Sequence, residues 1–373
     1  MTKARDSKVW RVIDTGLRPA AENIAINRAM LEAHQEELIP HTLRFLRFMP
    51  CALLGFHQNV EQELRVDYCR DHGITIQRRI TGGGAIYFDE TQIGWELYLD
   101  KRTLGTADMQ AIARRICEAA AEGMRRLGVD ARFRPRNDIE VNGRKISGTG
   151  GAFDGDSILY QGTLLVEFDV ERMLRVLRIP AEKLSDKAIQ SARERVVNLK
   201  DLLGEAPALA EVRRHITAAF ADAFGVDFEP ATGLSAAEQA KYQEALREID
   251  SEEWVYQHNR PADESPVLEG VHRCAGGLLR AHVVFDGMRQ RIKQVWITGD
   301  FFVNPRRLVP DLEAALRDTA AADLRANVQR FFDHYPAEML LLGREDFIAV
   351  VENALMQGSV EARNAETSVP RIS

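Results

Sequence analysis

The chain has 373 residues, 45% hydrophobic and 28% charged, with 49 Lys+Arg against 56 Asp+Glu for a formal charge of −7. No run approaches the ~18 apolar residues of a membrane span, no apolar secretory core follows the N-terminus, and mild acidity leaves no nucleic-acid footprint. Four scattered cysteines (Cys51, Cys69, Cys117, Cys274) without a CxxC pair fit a reducing compartment rather than a disulfide framework or zinc knuckle. A cytoplasmic location with no membrane or nucleic-acid partner is expected. Only nine of the basic residues are lysine; codon bias explains most of that scarcity, yet each lysine becomes easier to interrogate.

In chain order, a short strand at residues 9–13 precedes an amphipathic helix over 20–38, with Ile24, Leu31 and Leu38 on one stripe. Residues 43–48 and 51–56 are strand-like, and 74–80 and 85–88 are strands flanking a glycine triplet. A helix over 109–127 carries Ala113, Cys117, Ala120, Met124 and Leu127 on its apolar stripe and ends at Gly128. A hairpin over 138–147, a strand over 159–168 and a helix over 208–224 complete an α/β unit spanning 1–228. Residues 229–265 are polar and acidic around a short helical piece, 236–249, and are expected as a connector. A second unit, 266–357, follows: strands 282–285 and 292–297 joined at Asp286-Gly287, a helix over 308–335 broken near Ala321, and a helix over 344–355. Residues 358–373 are expected as a disordered tail.

Three segments carry candidate chemistry. In Arg78-Arg79-Ile80-Thr81-Gly82-Gly83-Gly84-Ala85, consecutive glycines let backbone N–H groups approach an anion and adopt positive φ. The arginine fork beside them suits a carboxylate or phosphate; the plainer alternative is a tight hairpin with surface arginines. No Lys-Ser/Thr follows, so this is not a P-loop. In Arg136-Asn137-Asp138-Ile139-Glu140-Val141-Asn142-Gly143-Arg144-Lys145-Ile146-Ser147-Gly148, Asn-Gly predicts a type I′ hairpin. That register pairs Val141 with Arg144, Glu140 with Lys145, Ile139 with Ile146 and Asp138 with Ser147. Alternation then puts Ile139, Val141 and Ile146 on one face and Asp138, Glu140, Lys145 and Ser147 on the other. Alone, that polar face reads as a solvated surface with a cross-strand Glu140–Lys145 ion pair. Gly148-Thr149-Gly150-Gly151 lacks the Rossmann pattern and by itself reads as a flexible loop.

Together the segments resemble the lipoate–protein ligase family, within the biotin/lipoyl ligase and octanoyltransferase superfamily. The resemblance rests on Arg78-Arg79-x-Thr81-Gly-Gly-Gly84, Arg136-Asn137-Asp138-Ile139 and Arg144-Lys145-Ile146-Ser147-Gly148-Thr149. It continues through Gln161-Gly162-Thr163-Leu164-Leu165 and Arg195-Val196-Val197-Asn198-Leu199, and Gly299-Asp300-Phe301-Phe302 is similar to the family's accessory domain. It implies an α/β fold, a mixed sheet with surrounding helices, plus a small α/β C-terminal accessory domain. It further implies that ATP, with Mg2+, adenylates lipoate, and that the acyl group passes to a lysine of a lipoyl domain or H-protein-like acceptor. A monomer is expected.

For single residues, the resemblance implies that Lys145 is the catalytic lysine, touching both the lipoate carbonyl and the adenylate phosphate. It places Arg79, Gly84, Ala85, Ile86, Tyr87, Asn137 and Asp138 around ATP, with Asp138 as a magnesium ligand. Thr81, Gly82, Gly83, Ser147 and Thr149 join Lys145 around lipoate. Two departures stand out. Gly55-Phe56-His57-Gln58-Asn59 replaces the common Gly-Arg-x-Gln-Asn, and Phe88-Asp89 replaces His-Asp. His57 is a candidate substitute for a lost group, although a lone histidine is more often structural. The related octanoyltransferases form a cysteine thioester, and the chain has no cysteine at 129–136 or 176–181, where the transferase groups carry it. Adenylate chemistry is therefore expected. The alternatives are octanoyl or lipoyl transfer without ATP, a non-catalytic lipoyl-protein-binding module and, less well matched by the motif order, a biotin ligase.

Overall fold

Strand alternation in the first part of the chain builds one mixed eight-stranded sheet in a computed structural model that describes residues 8–106, 108–135, 137–178, 190, 192–259 and 267–367. The chain divides into two units, Met1–Phe56 with Val60–Gln257, and His57–Asn59 with His258–Ser373. The elements of the first unit used below are β1 (Val9–Arg18), α1 (Ala20–Gln35), β2 (Thr42–Phe48), β3 (Cys51–Leu54), β4 (Thr75–Arg78), β5 (Ile86–Phe88), β6 (Gln92–Asp100) and α2 (Met109–Arg125). They continue with β7 (Arg132–Arg134), β8 (Asp138–Val141), β9 (Arg144–Asp154), β10 (Ser157–Leu165), α3 (Leu209–Phe224), β11 (Asp227–Ala231), α4 (Ala236–Ile249) and α5 (Glu252–Tyr256). The sheet order is β11-β1-β2-β6-β10-β9-β8-β7, and β4-β3-β5 form a small second sheet.

Sequence patterning misses β6, the strand near the middle. All its residues are buried, because both faces of the sheet are covered. Trp95, Leu97 and Leu99 enter the core shared with α2 and α3. On the other face Glu96 is satisfied by Arg44 at 2.9 Å, Asn27 at 2.7 Å and the Tyr98 hydroxyl at 2.8 Å. A buried carboxylate is tolerable only when matched in this way.

The glycine-rich run after Lys145 is strand, not loop: β9 continues to Asp154 and pairs with β10. Close packing demands its glycines, since a Cβ on Gly151 would meet Leu159 O at 3.0 Å.

The expected connector is also corrected. β11 pairs in parallel with β1, and α4 lays Tyr242, Ala245 and Ile249 into the core around α1. Ser235 and Glu238 cap α4 reciprocally, and the fully buried Glu238 accepts from Arg11 at 2.8 Å. The acidic composition reflects the outer helix face rather than a lack of fold. The end of the proposed connector, 260–266, lies outside the described residues.

The second unit holds β12 (Val267–Cys274), β13 (Gly277–Asp286), β14 (Arg291–Gly299), α6 (Leu308–Leu316), α7 (Leu324–His334) and α8 (Arg344–Thr367). Its sheet runs β12-β13-β14, extended by Thr319–Ala320, which interrupts the long helix as anticipated. The expected tail is corrected in part: α8 runs on through residues 358–367, whose Glu and Ala content favours helix, while 368–373 lie outside the described residues.

Candidate active site

Asn142 (φ 51°) and Gly143 (φ 76°) both adopt positive φ, the signature of the anticipated type I′ turn. Val141 pairs with Arg144 and Glu140 with Lys145, as expected. Beyond them the register slips: Ile139 faces Ser147 and Asp138 faces Gly148. Ile146 is the extra residue of a bulge, which re-aims the strand after Lys145. Ser147 therefore joins the buried face with Ile139 instead of the Lys145 face, and its hydroxyl has no partner among the described residues. Gly148 takes its place opposite Asp138.

That exchange makes room for the lysine. A Cβ on Gly148 would lie 2.8 Å from Lys145 Nζ and 2.9 Å from its Cε. Nζ instead reaches Asp138 Oδ1 at 2.7 Å, with the lysine side chain 37% exposed. Arg134 donates to Asp138 Oδ2 at 2.9 Å and to Glu140 at 3.0 Å. Burial works against the charge of Asp138, but Lys145 and Arg134 outweigh it and hold the carboxyl below its ordinary range.

The Lys145 main chain is fixed as well. Its N–H donates to Arg195 O at 2.8 Å and its carbonyl accepts from Val197 N–H at 2.9 Å, where the β10 ladder has ended. The Arg195–Leu199 motif thus acts as a short parallel brace. Asn198 steadies it by pairing with the main chain of Phe168 at 2.9 and 3.1 Å.

The two arginines before the glycine loop do not form an exposed fork. Arg79 is buried and donates to Leu53 O at 3.0 Å, Thr81 Oγ1 at 3.2 Å, Gly82 O at 3.1 Å and Gly84 O at 3.0 Å. A trans peptide that aims its carbonyl at Arg79 aims the following N–H the other way. Arg79 therefore pins the Gly82 and Gly84 carbonyls and positions the loop, rather than offering its own charge, with the N–H of the part-buried Ala85 on the side away from the guanidinium. Arg78, fully buried, donates to the carbonyls of Gly55, Phe56, Trp254 and Val255. Burial pushes the Arg78 guanidinium down to about 9 and that of Arg79 to about 10.

Gly83 (φ 91°) sits against Gly55, where a Cβ would come within 1.8 Å of Gly83 O. Thr81 accepts from Gln161 Nε2 at 3.2 Å, tying the loop to β10. In β5, Ile86 is partly buried, and the buried Tyr87 hydroxyl has no partner among the described residues, so a ligand atom could satisfy it.

Other candidate residues are held internally. Asn137 and Thr149 bond each other, with Thr149 N–H to Asn137 O at 2.9 Å and the Asn137 amide returning to Thr149 O. The Thr149 hydroxyl also meets Tyr160 OH at 2.9 Å and Cys117 Sγ at 3.4 Å. His57 belongs to the second unit, where its ring stacks on Phe301 at 5.0 Å, a packing role. Phe88 likewise packs on Phe48, at 4.7 Å. Arg136 lies outside the described residues.

The magnesium expectation does not fit a standing protein site. Both Asp138 oxygens are matched by cations and Glu140 is matched by Arg134, so Mg2+ would have to displace one of them. An ion carried on nucleotide phosphates needs no such cage.

Residues 19–221 match the profile of the lipoyl protein ligase A/B catalytic domain. The chain belongs to this family. Among lipoyl protein ligase A/B relatives, octanoyltransferase LipM of Geobacillus kaustophilus is 28% identical over 67% of this chain and 98% of its own. The bipartite lipoate protein ligase of Thermoplasma acidophilum, solved in a study that includes its E2 lipoyl domain, is 29% identical. It covers 67% of this chain and 97% of its own with a TM-score of 0.59. Lipoate-protein ligase A bound with ATP is 26% identical over 66% of this chain and 98% of its own, also with a TM-score of 0.59. The family thus includes both ligases and acyltransferases. No helix among the described residues is long and apolar enough to cross a membrane.

Proposed function

We propose that the protein is an ATP-dependent lipoate–protein ligase, which joins lipoate to AMP and passes the lipoyl group to a lysine of a lipoyl domain or H-protein-like acceptor. One observation carries this reading: the Lys145 ammonium, braced at its main chain, sits 2.7 Å from Asp138 on a part-exposed strand face. The ATP complex of lipoate-protein ligase A supports nucleotide use, and the T. acidophilum ligase studied with its E2 lipoyl domain supports that class of acceptor.

In the first step a lipoate carboxylate oxygen attacks the α-phosphorus of ATP, and pyrophosphate leaves with the bonding pair. Two anions must meet, and an oriented ammonium offsets their repulsion and stabilises the charge of the transition state. Lys145 can swing to them without orphaning Asp138, because Arg134 retains that carboxylate. The N–H of the part-buried Ala85, on the side away from Arg79, suits a phosphate oxygen. In the second step a neutral acceptor amine attacks the acyl carbonyl, AMP departs with the C–O bonding pair, and the amine's proton passes to solvent.

Octanoyl transfer without ATP is the second reading, favoured by the LipM relatives. It needs a reactive thiolate. In the first unit Cys51, Cys69 and Cys117 are buried, and burial raises Cys69 and Cys117 to about 11 and Cys51 well above its ordinary value. Incubation with lipoate, ATP, Mg2+ and a lipoyl domain, read by acceptor mass, separates the two. An ATP-dependent lipoyl shift lost in Lys145→Ala supports the ligase; a shift seen only with octanoyl carrier protein and no ATP overturns it.

A further inference from the structure

We propose that His272, Cys274 and Asp346 form a binding site for a divalent transition metal of the zinc class in the second unit. The placement follows from strand periodicity: residues two apart on β12 share a face. Gly270, next on that face, packs against the α8 backbone so closely that a Cβ would meet Val350 O at 2.2 Å and Ala354 N at 2.5 Å. With α8 pressed there, its first turn delivers Asp346 to the end of β12 that holds His272 and Cys274. Their ligand atoms all lie within 4.8 Å of one another, and His272 Nε2 is 2.9 Å from Asp346 Oδ1.

Asp346 also has the outer support that metal ligands take: its second oxygen accepts the Gly343 N–H at 2.8 Å, which orients the carboxylate. All three side chains are part-buried, which shields the site yet leaves a path for an ion. Cys274 differs in this from Cys51, Cys69 and Cys117, which are buried.

The donor set selects the ion. One imidazole nitrogen, one thiolate and one carboxylate make a borderline set that suits Zn2+ or Co2+ rather than the oxygen-seeking Mg2+ or Ca2+. Tetrahedral bonds of about 2.0–2.3 Å would set these donor atoms about 3.3–3.6 Å apart, so donors up to 4.8 Å apart close by about 1.5 Å at most while the 2.9 Å His272–Asp346 contact opens, all by side-chain rotation. On binding, the Cys274 thiol releases its proton to solvent. His272 would bind through Nε2, in place of its Asp346 contact. Three protein ligands leave one position for water.

The test uses the full chain, reduced, stripped with chelator and titrated with Co2+ alone. The expected result is one tetrahedral Co2+ per chain with a thiolate charge-transfer band in the near ultraviolet. The band is lost in Cys274→Ser and the affinity falls about tenfold or more in His272→Gln, while Lys145→Ala keeps both. Zn2+ should displace the cobalt and raise the melting temperature of the parent but not of Cys274→Ser. A purely octahedral spectrum, or a charge-transfer band that survives Cys274→Ser in a chain of unchanged circular dichroism, overturns the proposal.

Discussion

Lys145 Nζ lies 2.7 Å from Asp138 Oδ1 across a position where any side chain would obstruct it: a Cβ on Gly148 would stand 2.8 Å from the same nitrogen. The ion pair and the glycine are one device. Gly148→Ala should fold normally, because only the end of a flexible side chain has to move. It should still lower kcat/KM about ten- to a hundredfold, or ~1.4–2.7 kcal/mol, by displacing the ammonium. The check is acceptor lipoylation rate beside thermal melting; an unchanged rate would detach Gly148 from the lysine's placement.

Lys145→Arg should not restore what Lys145→Ala loses. A guanidinium is a rigid planar fork, whereas the gap above Gly148 holds a compact ammonium on a narrow stem. ATP–pyrophosphate exchange in the two variants reads the adenylation step directly, and near-normal exchange by the arginine variant would count against a point-charge role.

Acid should expose the Asp138 pairing. Its folded pKa lies below the unfolded value of about 3.9, so its contribution is fully present above that value and is lost as pH falls through the folded pKa. Urea midpoints of the parent and Asp138→Asn should therefore differ most near neutrality and converge below about pH 4. A gap that is constant with pH would mean that the carboxylate is not selectively held ionised.

Arg78→Met should cost about 2–4 kcal/mol in urea unfolding, since the carbonyls of Gly55, Phe56, Trp254 and Val255 lose their buried donor. Arg78→Lys should recover little of it, because one ammonium cannot span two segments as the fork does. Stability equal to the parent in both variants would contradict the lock.

Cys117→Ala should retain ligase activity within about threefold, because its buried thiol only fills a helix stripe and meets Thr149 and Tyr160. Abolition of acyl transfer, with trapping of an acyl-thioester on the parent, would instead make Cys117 the nucleophile of the transferase reading.

The hairpin at Asn142-Gly143 was legible because its turn chemistry is local, and so was the Lys145–Glu140 register that follows from it. The displacement of Ser147 was not, since a bulge depends on what crowds the strand; the one sign was a glycine at 148, where a side chain would collide. Arg78 and Arg79 misled for the opposite reason. A charge in a sequence suggests water or a ligand, while here main-chain carbonyls absorb both guanidinium groups. The spacing of Tyr242, Ala245 and Ile249 already marked a buried helix stripe in α4, but surrounding acidic residues masked it. β6 escaped because burial of both faces erases alternation.

The Arg78 lock also says where the first unit can be cut. Composition changes after Phe228 and the family profile stops at residue 221, so both suggest a fragment that ends there. Such a fragment would expose the β1 edge that β11 covers, leave Arg11 without Glu238, and strip Arg78 of Trp254 and Val255. The glycine loop would then lose its footing through residues more than a hundred positions away. For expression, crystallisation or domain exchange, a fragment of the first unit has to run through Gln257 so that α5 is kept, and it still carries His57–Asn59 of the second unit.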